Sequence, residues 1–344
     1  MLKVGVVGTG NIFKQAHLPG WLSSKDVEII AFCDAFRDSA VAAAKDFPDA
    51  KVYDHYNELL DNPAIDIVGI STPNIFHSEI AIAALRKGKH VFCEKPDAIN
   101  PLEAQKMADA AAESGKLLMT MRNNRFSAEA QFMKRLMDKG ELGEMYMGRC
   151  GWIRRRGIPG RGGWFTTKEL SGGGPLIDLG VHMIDMAMYL GGSLKPVTVS
   201  GSTYRKFADQ PDASGQIPSG TYDVEDLAAG FIRFDNGASL QIEFSWASNI
   251  AVEQKFLEWR GTKGGFSLIN DKLNIFTEKE GALIDEQPSF AAAKIPQHTA
   301  NIQHFIACVL GKEQPIITPE QGVDMIKILS AIYESADRGK EIRL

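Results

Sequence analysis

Asp178 and His182 are the residues whose types and spacing most directly suggest chemistry. They stand four apart, with Asp185 three further on, in an apolar run through Leu176, Leu179, Met183, Ile184, Met186 and Ala187. A helix over this run places the carboxylate and the imidazole one turn apart on one face. An imidazole takes and returns a proton near neutral pH, and a carboxylate one turn away orients that exchange. Gly172, Gly173, Gly174 and Pro175 break the chain immediately before the run. Lys95 is a third candidate, in Glu94-Lys95-Pro96 at the end of a predicted strand. The proline holds it extended, and its ammonium can hydrogen-bond a hydroxyl oxygen. An isolated Asp-x-x-x-His is more often a polar stripe on a partly buried helix, so the surrounding elements must decide.

Those elements begin with a nucleotide-binding pattern. Leu2 to Val7 is a short apolar strand followed by Gly8-Thr9-Gly10-Asn11-Ile12-Phe13 and a helical stretch. The first glycine permits the tight turn, and the second lets the backbone approach a pyrophosphate at the helix N-terminus. Phe13 stands where a third glycine would, so looser packing of the helix on the sheet is expected. A second strand, Val27 to Phe32, leads to Asp34, at the distance where an acid meets the adenosine ribose hydroxyls. That acid repels a 2′-phosphate and favours NAD over NADP; Arg37 is close enough to screen such a phosphate. Strand and helix then alternate through Lys51 to Tyr53, Tyr56 to Leu60, Ile65 to Ile70, His77 to Lys87, His90 to Cys93, Pro101 to Ser114 and Leu117 to Met121. Such units build a parallel sheet with helices on both faces, and ligands bind at the carboxyl ends of its strands. Three of those ends are polar: Asp34, Ser71-Thr72-Pro73-Asn74, and Glu94-Lys95.

The combination resembles the glucose–fructose oxidoreductase/inositol dehydrogenase/rhizopine-catabolism (Gfo/Idh/MocA) family. The glycine turn, Ser71 to Asn74 with His77, Glu94-Lys95-Pro96, and Gly172 through Asp178 and His182 to Asp185 occur in order along nearly the whole chain. The resemblance implies an NAD-binding Rossmann domain over residues 1–121, and an α+β domain with a large, mostly antiparallel open sheet over 122–344. It implies cofactor contacts from Gly8, Gly10, Asn11, Ile12, Asp34, Ser71, Thr72, Asn74, His77, Glu94, Lys95, Asn123 and Trp164. It also places Arg125 near cofactor and substrate, and makes the open sheet face a subunit interface in a homodimer or homotetramer.

Past Met121 the rhythm changes. A helix is expected from Ser127 to Lys139 and a strand from Met145 to Ile153. Arg154-Arg155-Arg156-Gly157 through Arg161 to Trp164-Phe165 is an arginine- and glycine-rich loop, and Arg154 and Arg156 are candidates for holding an anion or sugar hydroxyls. Strands follow at Val197 to Tyr204, Asp226 to Phe234, Ala238 to Trp246, Gln254 to Arg260 and Gly265 to Ile269, with a hairpin signal at Asp235-Asn236-Gly237. The segment Phe207 to Thr221 reads as a flexible loop over the cleft. Helices His298 to Leu310 and Pro319 to Arg338 close the chain.

Composition narrows the function. With 344 residues two domains are the default, and 44% hydrophobic and 24% charged residues are those of a soluble globular protein. A net charge of -5 leaves no basic excess for nucleic acid. No run reaches membrane-spanning length, and a strand pattern from Leu2 leaves no room for a secretory signal. Cys33, Cys93, Cys150 and Cys308 show no metal-ligand spacing, so no metal is expected, and a cytoplasmic protein with reduced thiols is. The expected activity is NAD-dependent oxidation or reduction of a secondary hydroxyl of a sugar, sugar derivative or cyclitol. His182 serves as general base, Lys95 on the same oxygen, and Asp178 on the substrate or the proton-transfer group. An NAD-dependent glycosidase with transient oxidation and a non-catalytic nucleotide-binding sensor are the alternatives.

Overall fold

Strand β1 (Leu2–Val7) is buried over its last four residues without alternation, the mark of a central strand covered on both faces. It lies in a six-stranded parallel sheet with β2 (Val27–Cys33), β3 (Lys51–Tyr53), β4 (Ile67–Ile70), β5 (His90–Cys93) and β6 (Leu118–Thr120), in the order β3-β2-β1-β4-β5-β6. The order reverses between β1 and β4, which is the switch point where a doubly wound sheet opens a crevice at its carboxyl ends. The computed structural model describes residues 1–192, 194–211, 215–217, 219–291 and 295–344.

The second sheet has nine strands, β7 (Met145–Ile153), β8 (Pro196–Tyr204), β9 (Leu227–Phe234), β10 (Ser239–Ser245), β11 (Gln254–Gly261), β12 (Gly264–Ile269), β13 (Lys272–Lys279), β14 (Ala282–Glu286) and β15 (Ile342–Arg343). Their order is β14-β13-β12-β11-β7-β10-β9-β8-β15. β7 and β10 run parallel and the other pairs antiparallel. β13, β14 and β15 extend the sheet beyond the strands expected from pattern; β14 is largely exposed, and β13 buries Leu273 and Ile275. Helix Val181–Gly191 packs on β7 and β11, where Trp259 Nε1 donates to Ala187 O at 3.1 Å. Across the other face runs a row of Phe231, Gln241, Arg149 and Glu258 on four adjacent strands.

A boundary at residue 121, with everything beyond it in the second domain, is corrected by the fold. Met1–Phe126 with Lys294–Ile326 form one unit, and Ser127–Ala293 with Lys327–Leu344 the other. The reason is apolar burial: Ile302, Phe305, Ile306 and Ile317 share a core with Trp21 and Phe92. The Phe305 ring lies 5.2 Å from Phe92 and 6.1 Å from Trp21. Of the expected loop Phe207 to Thr221, residues 212–214 and 218 lie outside the described residues.

Candidate functional site

In the first unit the glycine turn is shaped by its neighbours. Gly8 has φ +90°, and a Cβ there would stand 2.6 Å from the Ser71 backbone, so no other residue fits. Ser71 Oγ donates to Gly8 O at 2.8 Å. Gly10 differs: an added Cβ would meet nothing within 4 Å. Protein packing therefore does not demand a glycine at 10, but close approach of a pyrophosphate to this backbone does. Lys14 N–H bonds back to Gly10 O at 3.1 Å, so the helix begins at this glycine and its first N–H groups lie beyond the helical ladder. The next turn, Phe13–His17, is π-helical. Phe13 is 1% exposed, with its ring 6.1 Å from Phe32. Instead of packing loosely where a third glycine was absent, the helix anchors itself through this ring. Asn11 and Ile12 are exposed beside the turn, Ile12 at 41%.

Asp34 ends β2 next to the turn. Its Oδ2 accepts from Thr9 N–H at 2.7 Å and Thr9 Oγ1 at 3.0 Å, and its Oδ1 from Phe36 N–H at 2.9 Å. Arg37 pairs with Asp54 at the surface, so its charge is already answered there. Phe36, which spacing did not single out, is 79% exposed beside Asp34.

At the ends of β4 and β5, His77 is fully buried with Nδ1 2.8 Å from Pro96 O and Nε2 2.9 Å from Thr72 O. It ties the two loops together from beneath. Asn74 is buried. Glu94 accepts from His17 Nε2 at 2.6 Å and from Lys95 N–H at 3.0 Å. Burial works against its charge, but the His17 hydrogen bond and the charges of His17 and Lys95 outweigh it, holding the carboxyl down at about 2. Lys95 is half-buried, and its bond to Pro96 is cis. Asn123 and Arg125 lie in the 3₁₀ turn Asn123–Phe126. Arg125 donates to Ile316 O at 2.6 Å and Gln321 Oε1 at 3.0 Å, so it fastens the returning segment to this unit. The buried Thr72 Oγ1 and Asn123 Oδ1 have no hydrogen-bond partner, as expected of groups that meet a polar ligand. Gly10 and these two oxygens make the residues present fit a dinucleotide.

In the second unit, the residues of interest lie on a helix that opens with a π-helical turn, Leu176–Gly180, and continues as Val181–Gly191. Of residues 173–187, only Asp178 and His182 are left partly open. Asp178 Oδ2 accepts from Trp246 Nε1 at 2.9 Å, and the His182 ring lies 6.3 Å from that of Trp152. Asp185 is buried. The π-turn has no sequence signature, whereas the helix itself follows the apolar period. Trp152 carries Arg154 at 4.7 Å and Lys255 at 5.2 Å over its ring.

The arginine loop divides. Arg154 is half-buried over the Trp152 ring. Arg156 lies over the Phe207 ring at 4.7 Å and donates to Arg155 O at 2.6 Å, Ser248 O at 3.1 Å and Asn249 Oδ1 at 3.0 Å, a loop-building role. Trp164 stacks on Phe165 with centroids 3.8 Å apart in the turn Trp164–Thr166. Spacing did not point to His17 in the first unit, or to Trp152 and Trp246 in the second; each meets its partner from a distant part of the chain.

Known proteins share the sequence and the fold of both units. Residues 2–121 match the profile described as "Oxidoreductase family, NAD-binding Rossmann fold", and residues 130–267 match the "GFO/IDH/MocA C-terminal domain". The chain is 35% identical, over 100% of its length and 97% of the relative's, to D-glucoside 3-dehydrogenase of Escherichia coli (strain K12). It is 31% identical to the levoglucosan dehydrogenase of Pseudarthrobacter phenanthrenivorans, over 67% of this chain and 62% of that one. Among solved structures, levoglucosan dehydrogenase in complex with NADH and levoglucosan superposes with a TM-score of 0.86 at 25% identity, covering 100% of this chain and 99% of that one.

Proposed function

The chain belongs to the Gfo/Idh/MocA family of oxidoreductases, and from that premise we propose that it is an NAD-dependent dehydrogenase of a secondary hydroxyl on a sugar, sugar derivative or cyclitol. The observation that carries the reading is the helix from Leu176: through residue 187 it is buried except at Asp178 and His182, which are left partly open. Bound NAD supplies the hydride acceptor or donor. The backbone at Gly8, Gly10, Asn11 and Ile12 receives the pyrophosphate, and Asp34 the adenosine ribose. Ser71, Thr72, Asn74, Asn123 and Trp164 complete the cofactor contacts, and His77 and Glu94 hold their loops. His182 removes the hydroxyl proton in oxidation and returns it in reduction. Lys95 hydrogen-bonds the oxygen that develops negative charge. Asp178, fixed by the Trp246 indole, orients the proton exchange, and Arg154 on Trp152 contacts substrate hydroxyls or an anionic group.

The row Phe231, Gln241, Arg149 and Glu258 is proposed as part of a face shared between copies of this chain in a homodimer or homotetramer. A cytoplasmic location is proposed with it; among the described residues no helix is long and apolar enough to cross a membrane.

The test is NADH formation, read by absorbance with NAD and a panel of aldoses, glycosides, sugar acids and inositols. Turnover of one sugar class is expected. His182→Ala should then lower turnover ~10²–10⁴-fold, the usual worth of a positioned acid–base group, with NAD still bound. Near-wild-type turnover in that variant removes the assignment.

A further inference from the structure

The helix that carries Asp178 and His182 starts on a buried carboxylate. Glu225, which lies just before β9, is 8% exposed. Its Oε2 accepts from Gly174 N–H at 2.9 Å, and its Oε1 from Leu176 N–H at 3.1 Å and the Tyr333 hydroxyl at 2.8 Å. Gly174 O accepts in turn from Asp178 N–H at 3.0 Å. The neighbouring glycines leave no slack. A Cβ on Gly173 would stand 2.1 Å from Tyr333 Oη, and one on Gly174 2.1 Å from Glu225 O. The next residue holds Asp178 from the other side: Asp226 O accepts from Trp246 N–H at 3.0 Å, and the Trp246 indole donates to the Asp178 carboxylate. Both restraints on Asp178 thus lead back to one dipeptide, Glu225-Asp226.

We infer that Glu225, braced by Tyr333, is a positioning residue for proton transfer, fixing the first turn of the helix so that Asp178 and His182 keep a set geometry. The inference rests on the reading of His182 as the proton carrier. A carboxylate is required because both of its oxygens accept backbone N–H groups. A glutamine in either flip turns its NH₂ against Gly174 N–H or Leu176 N–H, and no rotation answers both. Burial raises the Glu225 carboxyl above its ordinary range, opposed by the hydrogen bonds from Gly174, Leu176 and Tyr333.

Glu225→Gln and Tyr333→Phe test this, read against wild type and His182→Ala. Glu225→Gln should lower kcat roughly 10- to 100-fold, the effect of misplacing a catalytic group by a fraction of an ångström to an ångström, with NAD affinity and sugar KM nearly unchanged. The His182 imidazole, followed by NMR and assigned from the His182→Ala spectrum, should titrate at a different pH. Asp178 and Asp185 lie on its own helix, and Arg154 and Lys255 lie over the Trp152 ring, whose centroid is 6.3 Å from that of His182; the substitution acts on the turn that carries Asp178. Tyr333→Phe should shift the same signal less and in the same direction. A folded Glu225→Gln protein with wild-type kcat and an unmoved His182 titration overturns the inference. If Glu225→Gln does not fold, Tyr333→Phe decides: an unmoved titration overturns it. Full turnover in His182→Ala sinks the proton-carrier reading, and with it the proton-transfer role of Glu225; full turnover in Glu225→Gln with loss in His182→Ala overturns the inference and leaves that reading standing.

Discussion

The glycine-turn end of the first unit and the Asp178–His182 helix of the second both contain a π-helical turn, yet they are held in different ways. At Gly8 and Gly10 the backbone makes the site, with help from strand ends in the same sheet: Ser71 on Gly8, Asp34 on Thr9. At Asp178 and His182 side chains make it, from Glu225, Trp246 and Tyr333 far along the chain. A backbone site is written in local spacing because only glycine fits it. A side-chain site is written in pairs of residues that meet only after folding.

The largest expected effect separates the two. Gly8→Ala forces a Cβ against the Ser71 backbone at a positive φ, costing roughly 3 kcal/mol or more. NAD affinity should collapse in calorimetry and the melting temperature should fall. Unchanged NAD binding would show that the turn is less rigid than its contacts imply. Trp246→Phe probes the other end. It removes a hydrogen bond to a charged group, ~1.5–3 kcal/mol, so kcat should fall tenfold or more while NAD binds normally. Weakened NAD binding in this variant would break the separation.

Glu94→Gln concerns pH. The folded carboxyl, near 2, lies below the ordinary 4.5, so its charge stabilises the fold above about pH 4.5, and that stabilisation is lost as pH falls towards 2. The gap in melting temperature between wild type and Glu94→Gln should be widest near neutrality and close across that window. A gap that stays constant to pH 3 argues against the His17 pair as its source. Arg37→Ala should do least. Its ion pair with Asp54 is exposed, worth less than about 1 kcal/mol. Stability and NAD-over-NADP preference, measured by kcat/KM with each cofactor, should barely move; a marked change would return Arg37 to the cofactor site.

The alternating strands and helices up to residue 121, the glycine turn and the Asp-x-x-x-His helix were legible because each has a period or a steric signature. Strands β13 and β14 were not: β14, at the sheet edge, is exposed and carries no apolar alternation, and β13 buries Leu273 and Ile275 alone. The resemblance placed Arg125 near cofactor and substrate; that its guanidinium also reaches Ile316 and Gln321 is a pairing that no spacing reveals. The placement of 294–326 was hidden for the same reason: its apolar period announces a buried helix, not which core receives it.

That placement governs how the protein is born. The first unit's core needs Ile302, Phe305, Ile306 and Ile317, so a ribosome that has finished Phe126 has made a nucleotide-binding sheet still missing part of its cover. Trp21 and Phe92 wait for a helix that emerges only after strands β7 to β14 of the second sheet have been synthesised. The first unit can begin folding early but cannot complete its core until this helix arrives, and a nascent chain stalled before residue 300 should expose apolar surface that the finished protein buries.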